Sequence, residues 1–340
     1  METIAYCGGT WSPNIGNAFF NLGIMHALKL AKPESNVVFL PDPPGWNWSY
    51  GRKPENPNIL LDDLECDYIL VSGPLFCSWL EPIWGNTLRK LKKKGTKIVF
   101  ISAGSMEYSE EEYNQVMPFV KEIEPYMLVT RDSDTFDRHS GLFEKEHDGI
   151  CFSLFAKEYF TEFINTEYDD INICFDKGLD YNVLIEYEDE IRNLLTTSEW
   201  NDSREHKKLK RSKKASKLDK FYDYRIVRPH HVANPRFRTI LKSFVLGYRP
   251  FVKPNTYIAD IPEGYLHLYK NSKLTISERV HACAPAISFG NYAWLVSETK
   301  RSRLFDRIGL GDVTNHPVKA DQNLLDTEKS VQIEFLRNNL

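Results

Sequence analysis

Three stretches of this 340-residue chain bring together residue types that can do chemistry. The first is GGTWSPNIGNAFFNLG at 8–23, where a predicted strand, TIAYC, runs into a glycine-rich turn and then a helix. Backbone amides at such a helix start attract anions, and Gly8, Gly9 and Gly16 permit close backbone approach. The spacing is neither GxGxxG nor GxxxxGK[ST], so a nucleotide phosphate is not specified, and a plain tight turn is the other reading. The second is TRDSDTFDRHS at 130–140, which puts Arg131 at the C-terminal end of a predicted strand, where open α/β sheets bind ligands. Asp132 or Ser133 is placed to cap the helix that follows, and a buried or capping ion pair is the alternative role. The third is SERVHACAPAISFGNYAWLV at 277–296, with Arg279 and His281 just past another strand end. A guanidinium grips carboxylate or phosphate through paired donors, and an imidazole moves a proton near neutral pH. Taken alone, a histidine such as His281 is more often structural than catalytic.

The elements that must position these residues read clearly. Short Val-, Ile- and Leu-rich runs recur between turn residues: SNVVFLP (35–41), DYILVSGP (67–74), KIVFISAG (97–104), YMLVTRD (126–132) and SKLTISE (272–278). Strands covered on both faces of a parallel sheet have this composition. Helical spacing lies between them, at Asn17–Lys29 and at Pro82–Lys94, where LRKLKKK followed by Gly95 suits a helix C-terminus. The alternation predicts an α/β fold with parallel sheets.

Composition bounds the rest. The length suggests two domains, and 42% hydrophobic with 26% charged residues is ordinary globular composition. A formal charge of -4 argues against a general nucleic-acid binder. Six cysteines without a CxxC spacing argue against a zinc knuckle and read as thiols in a reducing compartment. The N-terminal residues lack a basic-then-apolar signal, and no apolar run is long enough to span a bilayer, so a cytoplasmic location is expected. Between 204 and 220, nine Lys or Arg face one Glu and one Asp. That run is read as a solvated helix or a disordered loop, with a patch for an anionic glycan, a membrane surface or nucleic acid as the sharper alternative. The adjacent His230 and His231 in RPHHVANPRF (228–237) would point apart in an extended chain and are not expected to share a metal. They are assigned to an inter-domain or acceptor loop.

The residues together resemble the polysaccharide pyruvyl transferase family. The segment 272–310 carries the strongest likeness: strand, Arg279-x-His281, an Ala-rich helix, Gly290 before a strand, and Lys300 ahead of a helix that ends near Gly309. NIGNAFFNLG resembles the family's GDxGN segment, with Asn14 where Asp is usual. LVSGPLF (70–76), LVTRDSDTFD and HDGICFSLF (147–155) resemble three further family segments, each with a departure.

The resemblance implies two Rossmann-like domains facing across a cleft, GT-B-like. The expected division is 1–160 and 161–340, with the basic insertion near 204–220 and a C-terminal helical tail that packs back across the cleft. It implies phosphoenolpyruvate as donor substrate, no cofactor or metal, and a glycan or lipid-linked saccharide as acceptor. His281 and Arg279 are then the catalytic pair. Arg131, Asn14, Gly16, Asn17 and Lys300 bind substrate, and Asp132 or Glu278 orients a basic group. A GT-B-like glycosyltransferase using a nucleotide sugar is the main alternative, and a non-catalytic glycan-binding protein is another.

Overall fold

The computed structural model describes residues 1–9, 11, 14–40, 61–161, 170–174, 224–227, 256–257, 261–297 and 299–340. The basic stretch 204–220 and the 228–237 segment lie outside the described residues.

The N-terminal half is a six-stranded parallel sheet in the order β2-β1-β3-β4-β5-β6. Its strands are β1 (Thr3–Cys7), β2 (Asn36–Leu40), β3 (Tyr68–Phe76), β4 (Lys97–Ser105), β5 (Met127–Thr130) and β6 (Lys145–His147). Helices α1 (Gly16–Ala31), α2 (Leu80–Lys93) and α3 (Glu110–Ile123) connect them, and α4 (Ser133–His139) follows β5. Side chains alternate between two cores. On one face Ile4, Tyr6, Leu70, Val99 and Val129 pack with α1. On the other, Ala5, Cys7, Ile69, Val71 and Phe100 pack with α2 and α3. Burial on both faces is why these strands read as continuous apolar runs.

After β6 the chain makes a 3₁₀ turn (Phe152–Phe155) and the short α5 (Ala156–Tyr159). A second parallel sheet follows, in the order β11-β10-β7-β8-β9. It comprises β7 (Asp170–Cys174), β8 (Tyr224–Val227), β9 (Thr256–Tyr257), β10 (Ser272–Ser277) and β11 (Tyr292–Leu295). Helices α6 (Pro262–Lys270) and α7 (Val280–Ser288) flank β10, and a 3₁₀ segment, Lys300–Ile308, follows β11. Gly95 and Gly290 end α2 and α7 at φ +88 and +81, conformations that cost glycine nothing.

The two halves share a core. Phe19, Phe20 and Ile24 of α1 bury against the same cluster as Cys283, Ala286 and Ile287 of α7. Within the first half, Gly23 lets α1 pack closely on the 3₁₀ turn, since a Cβ there would overlap the Phe152 carbonyl oxygen. The last helix, α8 (Gln322–Asn339), returns to the first half. The buried Gln332 accepts from the Ile150 N–H at 2.7 Å and donates to its carbonyl at 3.2 Å. Lys329, also buried, pairs with Glu158 at 2.6 Å. Tyr126 and Lys32 donate to the carbonyls of Asn339 and Leu340. Among the described residues no helix is long and apolar enough to cross a membrane.

Candidate functional site

Both sheets reverse strand order once on either side of their first strand, at β1/β3 and at β7/β10. The crevices at the C-terminal ends of such strands are where open α/β sheets bind ligands. The site residues lie on this rim, where the two halves meet.

Arg131 follows β5 directly and is 4% exposed. Gly104 of β4 makes room for it: a Cβ at Gly104 would overlap Arg131 Nε and lie 2.7 Å from Cζ. Among the described residues, Arg131 Nη2 has no hydrogen-bond partner although it is buried. Burial opposes its charge, but Tyr108 and Asp132 outweigh that and hold its pKa above the usual arginine value. An orphaned buried donor on a charged group is costly unless something meets it.

Asp132 caps α4, its Oδ1 accepting from the Thr135 N–H at 2.8 Å, while its Oδ2 accepts from the Tyr108 hydroxyl at 2.9 Å. Of the two residues named as candidate caps, Asp132 fills the position. With both oxygens engaged and Arg131 at 3.9 Å, it orients neighbours. Burial pushes the Tyr108 phenol up to about 12, so it stays protonated and donates. Glu278, at the end of β10, is half-buried, and its carbonyl accepts from Ser297 Oγ.

Tyr108 is held at φ +54 by a loop built on one carboxylate. Ser109 caps α3 by accepting from the Glu112 N–H at 3.1 Å. The Glu112 carboxylate in turn accepts from the backbone N–H groups of Met106, Glu107 and Tyr108. Ser109 and Glu112 sit at capping-box spacing, but the acid gathers the N–H groups of the preceding loop in place of that of the N-cap residue. That loop meets the 3₁₀ segment of the other half. Lys300 Nζ donates to the Glu107 carbonyl at 3.1 Å, and Arg301 Nη2 contacts Met106 Sδ.

Arg301 adds positive charge to this region. Burial lowers its pKa, and the charges of Arg131 and Arg279 lower it further, so the three arginines share one electrostatic neighbourhood. Arg279 leads into α7 from its N-cap position and is half-buried. Lys300 is exposed and lines a polar cleft with Tyr108, Asp134 and Arg303. Arg301 was not singled out from the sequence. Its signal was its position next to Lys300 in KRSR, which does not reveal which side chain turns inward.

His281 lies one residue into α7 and does not cap it, since the N-cap is Arg279 and no side chain caps the helix end. Its Nε2 sits 3.7 Å from Cys151 Sγ, and its ring lies 5.3 Å from that of Phe20 on α1. Cys151 also meets Ser153 Oγ at 3.0 Å and is electrostatically coupled to Arg131. Cys151, which follows β6, and His281 of α7 thus meet across the junction of the halves.

The glycine turn adjoins the site through α1. Asn14 Oδ1 accepts from the Gly16 N–H at 3.2 Å, and its amide donates to Asn17 Oδ1 at 3.3 Å. Asn21 donates to the Gly9 carbonyl at 2.7 Å and accepts from the Tyr6 hydroxyl. Asn14, Gly16 and Asn17 therefore shape the turn by bonding within it. Among the described residues no group of three His, Cys, Asp or Glu side chains could hold a metal ion.

The fold has relatives among solved structures. An S. aureus MnaA–UDP co-structure matches with a TM-score of 0.51 and 14% identity, over 100% of this chain and 91% of that one. The UDP-GlcNAc 2-epimerase of Neisseria meningitidis bound to UDP-GlcNAc matches at 0.50 and 12%, over 100% and 95%. These likenesses establish the fold, two Rossmann-like domains in a GT-B-like arrangement. No curated protein sequence matches the chain. The family profile for polysaccharide pyruvyl transferase matches residues 14–291, a span that holds Arg131, Cys151, Arg279 and His281. The chain belongs to the polysaccharide pyruvyl transferase family.

Proposed function

We propose that this protein transfers the enolpyruvyl carbons of phosphoenolpyruvate to two hydroxyls of one sugar, forming a pyruvate ketal and releasing phosphate. The observation that carries this reading is Arg131, buried at 4% exposure with its Nη2 lacking a hydrogen-bond partner among the described residues, in a region to which Arg279 and Arg301 add positive charge. A small donor bearing both phosphate and carboxylate needs several cations, and guanidiniums bind both groups through paired donors.

In this mechanism Arg131 and Arg301 hold the phosphate, Arg279 holds the carboxylate, and Lys300 serves at the rim. His281 protonates the vinyl methylene, which becomes the methyl group and leaves C2 electrophilic. The first sugar hydroxyl attacks C2, and its proton returns to His281. The second hydroxyl then displaces phosphate from C2, and its proton leaves with the phosphate. The arginines neutralise the charge that develops on the departing group. Six free cysteines, five of them buried, fit a reducing cytoplasm as the site of this reaction.

The test is a donor comparison. Purified protein is offered phosphoenolpyruvate with a panel of oligosaccharide acceptors, and phosphate release and product mass are measured. A parallel series uses UDP- and GDP-sugars with nucleotide release as readout. A ketal product and phosphate are expected. Nucleotide release without phosphate release from phosphoenolpyruvate would replace this reading with glycosyl transfer.

A further inference from the structure

Beside Arg131 a polar cleft of about 510 Å³ opens between α4 and the 3₁₀ segment Lys300–Ile308, a volume within the range of small-molecule sites. Two periodicities build it. Asp134, Asp137 and Arg138 stand at i, i+3 and i+4 on α4 and so share one face. Lys300 and Arg303 are three residues apart in a 3₁₀ helix, where such positions eclipse. Both rows line the same cleft, and Arg303 pairs with Asp134 between them. Tyr108 and Glu110 line it from the start of α3, where Glu110 pairs with Arg138 at 2.7 Å. Glu110, Asp137 and Lys300 are exposed, so the cleft opens to solvent. No hydrogen bond or ion pair to a described residue engages the Asp137 carboxylate. Lys300 uses one of its three N–H groups on the Glu107 carbonyl.

We propose that this cleft is the acceptor subsite and holds an uncharged sugar ring of the glycan, with ring hydroxyls bonded to Asp137 and Lys300. The proposal rests on the pyruvyl-transfer reading for the identity of the acceptor. The occupant follows from the chemistry of the lining. Three carboxylates and three cations line the cleft, so it offers a phosphate no net attraction, and the donor is better served by Arg131. A nucleotide base needs an apolar slot, and Tyr108, only 8% exposed, is the one ring among the lining residues. A sugar hydroxyl both donates and accepts, so adjacent hydroxyls meet a carboxylate and a cation together. The open sides let the rest of a long glycan run into solvent.

Bonded groups, on the chain and through hydrogen bonds, place this cleft beside the donor. Asp134 follows Arg131 by three residues. Between them Asp132 Oδ2 accepts from the Tyr108 hydroxyl at 2.9 Å and lies 3.9 Å from Arg131 Nε. Tyr108 is therefore both a wall of the cleft and, through one carboxylate, a neighbour of the buried guanidinium. A ring seated against this wall presents its hydroxyls toward a donor held by Arg131.

The experiment measures saturation-transfer NMR of methyl glycosides of glucose, galactose, mannose and N-acetylglucosamine, and of uridine, with the intact chain. Asp137→Ala and Lys300→Ala are compared with the wild type, and phosphoenolpyruvate affinity is measured on each by calorimetry. Both residues are exposed, and a melting curve confirms folding. The expected result is binding of at least one glycoside by the wild type. Asp137→Ala should weaken it by about ten-fold, as loss of a charge-assisted hydrogen bond does, and Lys300→Ala should weaken it as well. Phosphoenolpyruvate affinity should stay within about three-fold in both. Absence of glycoside binding, glycoside binding unchanged in Asp137→Ala, or uridine bound in its place and lost in that variant would overturn the assignment. Glycoside binding is read without turnover, so failure of the donor assignment shows separately, as absent phosphoenolpyruvate affinity.

Discussion

Gly104 and Arg131 are a matched pair on adjacent strands, the missing side chain of one providing the space taken by the guanidinium of the other. The guanidinium is packed on all sides at 4% exposure, so it cannot swing aside without leaving its position. Gly104→Ala should therefore displace Arg131 while keeping the fold. Donor affinity should drop by roughly ten- to a hundred-fold, the equivalent of about 1.5–3 kcal/mol for a charge-assisted bond. Calorimetry with phosphoenolpyruvate, beside a circular-dichroism spectrum, reads this. Unchanged affinity would remove Arg131 from the donor site.

Adjacent cations in the 3₁₀ segment should behave differently. Arg301 is coupled to Arg131 and Arg279, whereas Lys300 is exposed and bonded to a loop carbonyl. Arg301→Ala should raise the KM for phosphoenolpyruvate at least ten-fold, and Lys300→Ala no more than about three-fold. Equal effects would mean that the rim lysine shares the donor. Glu112→Gln belongs with this pair, since its carboxylate gathers the loop that meets both residues. It should produce a smaller rise of the same kind.

The roles of Arg279 and His281 should separate kinetically. Arg279→Ala should mainly weaken donor binding. His281→Ala should lower single-turnover rates by about 10²–10⁴ with little change in donor affinity, as loss of a general acid does. Melting curves report whether the variants fold. If turnover per folded molecule survives in His281→Ala, the acid is another group.

Stability should fall in mild acid through His139. Its ring stacks on Phe76 at 3.7 Å, and burial, aided by the Arg138 charge, lowers its pKa to about 3. An unfolded histidine titrates near 6.5, so between these values the unfolded chain takes up a proton that the native chain refuses. Its stabilisation is complete above about pH 6.5 and is lost as pH falls toward 3, at roughly 1.4 kcal/mol per pH unit. His139→Phe keeps the stack and removes this dependence. Denaturant melts at pH 6.5 and pH 5 should show the variant gaining roughly 2 kcal/mol on wild type between them. A parallel shift in both proteins would show that His139 does not set the acid limit.

The strands were legible in the sequence because burial on both faces leaves no polar alternation: β2, β5 and β10 fall within the apolar runs, β3 and β4 start in theirs and run slightly past them, and β1 coincides with the predicted strand TIAYC. Arg131, Arg279 and His281 were legible for a related reason: Arg131 follows β5 directly, Arg279 and His281 come just after β10, and strand ends point at the ligand crevice. Which of Lys300 and Arg301 turns inward was decided only in three dimensions, by contacts with Glu107 and Met106 nearly two hundred residues earlier. The pairing of Cys151 with His281, 130 residues apart, likewise has no local signal. Local spacing determines which elements form and where they end. Only the packing of the two sheets determines which of the exposed-looking cations and aromatics lose water and face one another.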